Sequence, residues 1–250
     1  MSRRPLLLLC SVLLATPSWA QKDAAPPPAA MPVGVSLPLT LQVGVPRGEF
    51  AQNVALAGGF GGGILYAIDE MLGVRADFGV QLYGAETRRV PLGSGSLSLI
   101  DVDVTTTNTI ISGSVGAQLG VPSRELTPYF GGAIGFGSFV TTTSASGSNS
   151  DAEPFASTTN LSDATLARSL YGGFYVPMRG RTNVLDIGVR RTWHGRQVRY
   201  LTPGGITETA GGTVILSPRE SRADLLTVYV GLTLRGGARP AVSVIPPGVR

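Results

Sequence analysis

From Leu72 to Tyr83 the chain alternates without a break, with Leu72, Val74, Ala76, Phe78, Val80 and Leu82 interleaved by Gly73, Arg75, Asp77, Gly79, Gln81 and Tyr83. Side chains on a strand point to opposite faces in turn, so one face is wholly apolar and the other carries ions and amides. A tilted strand of about 9–11 residues spans a bilayer. Such a stretch folds only where apolar and polar surroundings face each other across a sheet, and its length suits a membrane wall.

The same period recurs along the chain. A first strand sets Leu37, Leu39, Leu41, Val43 and Val45 against Pro38, Thr40, Gln42 and Gly44. A second, from Val54 to Ile68, puts Phe60, Ile64, Tyr66 and Ile68 opposite Gly59, Gly61, Gly63 and Leu65. After the third, Leu72–Tyr83, a fourth is predicted over Thr105–Leu119 and a fifth over Thr127–Val140. A sixth covers Leu166–Val176. The seventh alternates Leu185, Ile187, Val189 and Trp193 with Asp186, Gly188, Arg190 and Thr192, and the eighth alternates Leu226, Val228, Val230, Leu232 and Leu234 with Thr227, Tyr229, Gly231, Thr233 and Arg235. Short turns follow strands two, four and six, while long polar segments follow three, five and seven (to about Asp103, Thr141–Asp163 and Gly195–Arg222). The long segments read as loops, that of Thr141–Asp163 as a mobile one.

Eight strands with short turns on one side and long loops on the other predict an all-β fold, an eight-stranded antiparallel up-and-down transmembrane β-barrel. Both chain ends then lie on the short-turn side. A soluble, lipocalin-like barrel has its apolar residues inside and needs a charged coat. Here the opposite face is Gly, Ser, Thr, Tyr and Gln, which fill a narrow lumen better than they solvate a surface.

Composition fits that reading. Charged residues are only 14% of the chain, glycines number 34, and the sequence has one cysteine. The pI of 9.6 reflects a net charge of only +4, and no basic cluster is interleaved with aromatics, so no nucleic-acid partner is expected. At the N-terminus, Arg3 and Arg4 precede the apolar run Leu6–Ala15, and Ser18-Trp19-Ala20 supplies a small-x-small end. Residues 1–20 are therefore expected to be a signal peptide cleaved before Gln21. Cys10 would leave with it, so neither disulfides nor thiol chemistry are expected. Residues 21–36 read as an Ala/Pro-rich linker, residues 37–236 as the barrel, and residues 237–250 as a short periplasmic tail.

The chain resembles the small outer-membrane β-barrel proteins of Gram-negative-type bacteria, the broad group of the OmpA transmembrane domain, OmpX, OmpW and the opacity proteins. The residues carrying the likeness are Val45-Pro46-Arg47-Gly48-Glu49-Phe50, Gly59-Phe60-Gly61-Gly62-Gly63-Ile64-Leu65-Tyr66, Leu72-Gly73-Val74-Arg75-Ala76-Asp77 and Pro128-Tyr129-Phe130-Gly131-Gly132. The resemblance implies the bacterial outer membrane, with outer-membrane lipid and lipopolysaccharide as surroundings and extracellular partners reached through the loops. It does not define an oligomeric state. Two departures stand out: the last predicted strand is not at the chain's end, and the segment after it is too short for the peptidoglycan-binding domain that likeness to OmpA would imply.

No catalytic constellation emerges. The glycine run Ala57–Gly63 lacks the Lys-Ser/Thr of a phosphate loop, no zinc spacing or calcium-loop acids are present, and no cofactor or metal is expected. His194, the single histidine, invites comparison with outer-membrane lipid A-modifying enzymes, but no carboxylate or serine is framed with it, and it reads as a solvated rim residue. Tyr66, Phe130 and Trp193 suit interfacial aromatic girdles. Arg168 and Arg191 fall on the lipid-facing parity near the outer rim, where lipopolysaccharide is anionic.

The inward charges carry the sharpest expectation. An unpaired ion in a low-dielectric lumen costs several kcal/mol, so Arg75, Asp77, Asp186 and Arg190 should pair across it, with Arg235 as a further candidate. Gln81, Tyr171, Tyr175 and Tyr229 should complete the hydrogen bonds. Such a network makes a plug, and the predicted role is a structural or surface-interaction protein; the alternatives are a narrow OmpW-like channel for small apolar solutes, a lipid A-modifying enzyme or a soluble binder.

Overall fold

A computed structural model describes residues 34–91, 101–123, 126–147, 153–178, 183–208 and 214–235. The predicted signal peptide, most of the linker and the tail lie outside the described residues. Each alternating segment forms a strand and pairs with its neighbour in the chain: β1 (Gly34–Pro46), β2 (Ala57–Ala67), β3 (Leu72–Pro91), β4 (Asp101–Gly120), β5 (Thr127–Gly147), β6 (Ala156–Pro177) and β7 (Val184–His194). Four three-residue strands follow, β8 (Val198–Tyr200), β9 (Ile206–Glu208), β10 (Val214–Leu216) and β11 (Arg219–Ser221), before β12 (Leu225–Arg235). β12 returns to β1 in antiparallel register, Leu41 opposite Val230. The ring closes in the order β1-β12-β7-β6-β5-β4-β3-β2, which removes every sheet edge at membrane level.

The direction of the side chains decides what kind of barrel this is. Along β3 the even-numbered residues face outward and the odd-numbered ones inward: Val74, Phe78 and Leu82 are exposed, whereas Arg75 is 3% and Gln81 5% exposed. Leu41, Phe60, Ile134, Leu170 and Val228 continue the exposed apolar wall on other strands. This inverts a soluble barrel and is the arrangement of a transmembrane one, apolar outside and polar within. Among the described residues no helix is long and apolar enough to cross a membrane.

Some of the inward glycines let strands approach where a side chain could not. A Cβ at Gly231 would lie 1.9 Å from the carbonyl oxygen of Leu39, while one at Gly58 would meet nothing within 4 Å. Gly231→Val is therefore expected to lower stability by about 1–3 kcal/mol through overpacking, with Gly58→Ala close to neutral. Urea midpoints of the two variants in detergent check the contrast, and equal midpoints would refute it.

At the short-turn end, Asp69 accepts the backbone N–H groups of Met71 and Leu72, both at 2.7 Å. These two bonds hold its carboxyl below the usual carboxylate range and fix the β2–β3 turn.

The opposite end differs from expectation in two respects. The segments read as long loops are largely strand: β3 runs on to Pro91, β4 begins at Asp101, and the Ser/Thr tract after Val140 continues β5 to Gly147 and begins β6 at Ala156. The predicted mobile loop Thr141–Asp163 is thus mostly a sheet standing above the barrel. Threonine is β-branched and suits a pleated surface, and its hydroxyls bond across strands. Thr87 and Thr105 meet at 2.9 Å, Thr106 and Thr143 at 3.0 Å, and Asn160 Nδ2 donates to Thr143 Oγ1 at 2.6 Å. Low hydrophobicity here marks a threonine-rich sheet, not irregular chain.

The connection 195–224 is also no open polar loop. β8 pairs with β11 and β9 with β10, and the fold brings Val198, Tyr200 and Leu201 to zero exposure. Val198 and Tyr200 join the buried cluster of Phe50, from a short 3-10 turn (Gly48–Gln52) after β1, which is likewise fully buried. Phe50 makes edge contacts with Tyr200, Tyr83 and Phe139 at centroid distances of 5.0, 5.8 and 5.9 Å. These rings form an aromatic plug inside the mouth opposite the short turns.

Candidate functional site

The lumen below that plug holds the polar side chains that strand parity turned inward. β3 and β7 are four places apart in a ring of eight, hence opposite each other, and each carries charges two or four residues apart on its inner face. Arg75 and Asp77 on β3 therefore face Asp186 and Arg190 on β7 across the barrel.

The four form one network. Arg75 Nε donates to Asp77 Oδ1 at 2.8 Å, and Arg75 Nη1 lies 3.7 Å from Asp186 Oδ2. Arg190 Nη2 donates to Asp77 Oδ2, completing the link across the lumen. Two guanidinium groups and two carboxylates balance, which is the condition for burying them. Asp186 is fully buried and accepts from Tyr129 Oη; Tyr129 also shares a 2.8 Å bond with Tyr229. Tyr171 lies beneath both guanidinium groups, 5.6 Å from Arg75 and 5.1 Å from Arg190, a cation–π arrangement. Its hydroxyl donates to Ala117 O at 3.1 Å.

Gln118 and Tyr129 were not among the predicted members. Gln118 Oε1 accepts from Arg75 at 3.2 Å and its Nε2 donates to Tyr175 at 3.0 Å; Tyr129 stacks on Tyr175 at 4.5 Å. Both sit at inward parity on their strands, which was the signal available. Two expected members stand apart. Gln81 binds Gln42 at 3.0 Å, and Gln42 in turn donates to Thr40 at 3.1 Å, in a separate amide chain. Arg235 lies near the short-turn end of β12, where its backbone N–H donates to Asn183. No described carboxylate pairs with it, because it is four residues further along β12 than Gly231, the partner of Asp186.

Between the charged layer and the aromatic plug lies a cavity of about 60 Å³, bordered by Thr40, Gln42, Gln81, Ser112, Thr227 and His194, room for a few water molecules. His194 is not the solvated rim residue expected: it is 7% exposed and packs against the edge of Phe139 at 5.5 Å. Its ring points into the barrel beside Gly137, and its backbone N–H donates to Asp224. Tyr66 and Phe130 are exposed toward the short-turn end, and Trp193 sits at the other, with the Arg191 guanidinium 5.5 Å from its ring. Among the described residues no three His, Cys, Asp or Glu side chains gather as a metal site.

Fold and lumen together define a small transmembrane β-barrel with a charged, hydrogen-bonded interior. No protein-family model matches the chain, and no curated protein does. Among solved structures it is similar to Neisserial surface protein A, at 14% identity over 81% of this chain and 97% of that one, with a TM-score of 0.44. OprG of Pseudomonas aeruginosa is similar at 10% identity over 82% and 97%, TM-score 0.40. Ail, the attachment invasion locus protein of Yersinia pestis, is similar at 14% over 81% and 96%, TM-score 0.36. These likenesses do not go beyond the barrel.

Proposed function

We propose that this chain is an integral protein of the bacterial outer membrane, directed there by the predicted signal peptide, with a structural or surface-interaction role and no catalytic one. Its β-sheet extension is the part offered to extracellular partners. The observation that supports this reading is a charge layer linking opposite strands beneath an aromatic cluster around Phe50, two layers that together would seal the lumen. Solute passage would have to break a buried ion network and displace Phe50 and Tyr200 together. Between β6 and β7 a sideways path through the wall, as a channel for apolar solutes would use, has no gap in pairing to exploit: the two strands remain paired from Pro177–Val184 to Ala167–His194.

Reconstitution in planar bilayers tests the proposal. Heat-modifiable folded protein should give no unitary conductance steps, and reproducible steps of a single size would overturn the sealed-lumen reading. Recovery of the protein in the soluble periplasmic fraction would overturn the membrane reading as a whole.

A further inference from the structure

One groove lies outside the lumen, on the lipid-facing wall where β6 and β7 reach the outer rim. Its volume is about 750 Å³. Its floor comes from a row of directly paired residues, Val115 opposite Ile134, Ile134 opposite Arg168, and Arg168 opposite Trp193. Phe136 and Leu166 continue the floor outward, and Leu166 is 78% exposed. Into this apolar surface the chain places two guanidinium groups: Arg168 from β6, and Arg222 from the rim segment before β12.

The charges are unequal in their pairing. Asp224, which also borders the groove, is engaged by Arg191 Nη2 at 3.4 Å and by the His194 backbone N–H at 3.3 Å. No described carboxylate pairs with the side chain of Arg168 or Arg222. An arginine on the lipid face of a barrel is tolerated near an interface and is costly toward the midplane. Beside Trp193, at girdle level, the two unpaired guanidinium groups bring positive charge and N–H donors suited to phosphate to one groove, while its floor suits an acyl chain.

We propose that this groove binds a phosphorylated, acylated lipid of the outer leaflet, its phosphate held between Arg168 and Arg222 and one chain lying over Ile134, Phe136 and Leu166. The assignment rests on the membrane reading above. It gives the barrel a fixed lipid at one place on its circumference.

The test is a native mass spectrometry titration of the full-length folded protein in detergent, with bis-phosphorylated lipid A, dephosphorylated lipid A and inorganic phosphate as separate probes. Phosphorylated lipid A should bind, and an Arg168→Gln/Arg222→Gln variant should bind it at least about tenfold more weakly, the effect of losing one charge-assisted contact or more. Arg168→Lys/Arg222→Lys should retain most of the binding, and Arg88→Gln, outside the groove, all of it. Unchanged binding by the glutamine variant, or equal binding of dephosphorylated lipid, overturns the proposal; displacement of the lipid by inorganic phosphate alone overturns the lipid assignment. Heat-modifiable gel mobility is read on every variant, and if the glutamine pair does not fold, each single Arg→Gln variant replaces it. Absence of lipid binding by the unsubstituted protein with its heat-modifiable mobility intact overturns the groove alone, whereas an unsubstituted protein with no heat-modifiable form overturns the membrane reading.

Discussion

Asp77→Ala is expected to destabilise the folded barrel by about 3–5 kcal/mol, because it strands a buried guanidinium. Asp77 is the one carboxylate that binds both arginines, Arg75 at 2.8 Å and Arg190 from the opposite wall. Without it, Arg75 and Arg190 share Asp186 alone, which is 3.7 Å from Arg75 and already accepts from Tyr129. Removing a whole pair is a different experiment. Asp77→Asn with Arg190→Met leaves Arg75 with Asp186, keeps the charge balanced, and should recover much of the loss, since a buried ion pair contributes little net stability relative to apolar packing. Urea unfolding followed by loss of the compact gel form measures both. A single variant no less stable than the double one would refute the network as the feature that makes these charges tolerable. Arg88→Ala, which breaks the exposed Arg88–Glu86 pair at 2.7 Å, should be near neutral.

Phe50→Ala should have a similar cost in a different place. Truncating a fully buried phenylalanine costs about 3–5 kcal/mol through lost transfer energy and the cavity left behind. Phe50 contacts three aromatic rings, and one of them, Tyr200, belongs to the folded connection over the mouth. Its hydroxyl accepts from Asn53 at 3.0 Å and shares a 2.9 Å bond with Ser221. The loss therefore falls on the plug more than on the strand ring, whose pairing does not involve Phe50. Arg196 and Arg199 lie in that connection, so limited trypsin digestion reads its opening. A population shift of 3 kcal/mol is roughly a hundredfold, and cleavage there should rise on that scale while the compact gel form persists. Unchanged cleavage would mean that the mouth is held shut without Phe50.

The wall was readable because its signal is one-dimensional. A residue such as Val74 or Val230 must point away from its neighbours on the strand, whatever strand lies beside it, so parity alone separates lipid from lumen. The pairing of Arg75 and Asp77 with Asp186 and Arg190 was legible for a related reason: in a closed barrel, height along the strand and inward parity nearly determine who meets whom. The upper third was not legible in this way. Thr87, Thr105, Thr106 and Thr143 are polar on every face, so alternation vanishes although the strands continue, and only hydroxyl pairing across the sheet reveals them. Val198-Arg199-Tyr200-Leu201 offered a short apolar signal inside a polar segment, but nothing local says that it folds back into a barrel mouth.

By itself, then, the sequence determined the number of strands in the barrel wall, the inversion of polarity and the inward charges, since each follows from the two-residue period of a strand. Tertiary structure alone decided that Asp77 bridges two arginines, that Arg235 stands outside their network, that His194 is buried, and that Phe50 and Tyr200 meet. Those outcomes depend on the register between strands and on where a long connection comes to rest, which are set by contacts between residues far apart in the chain.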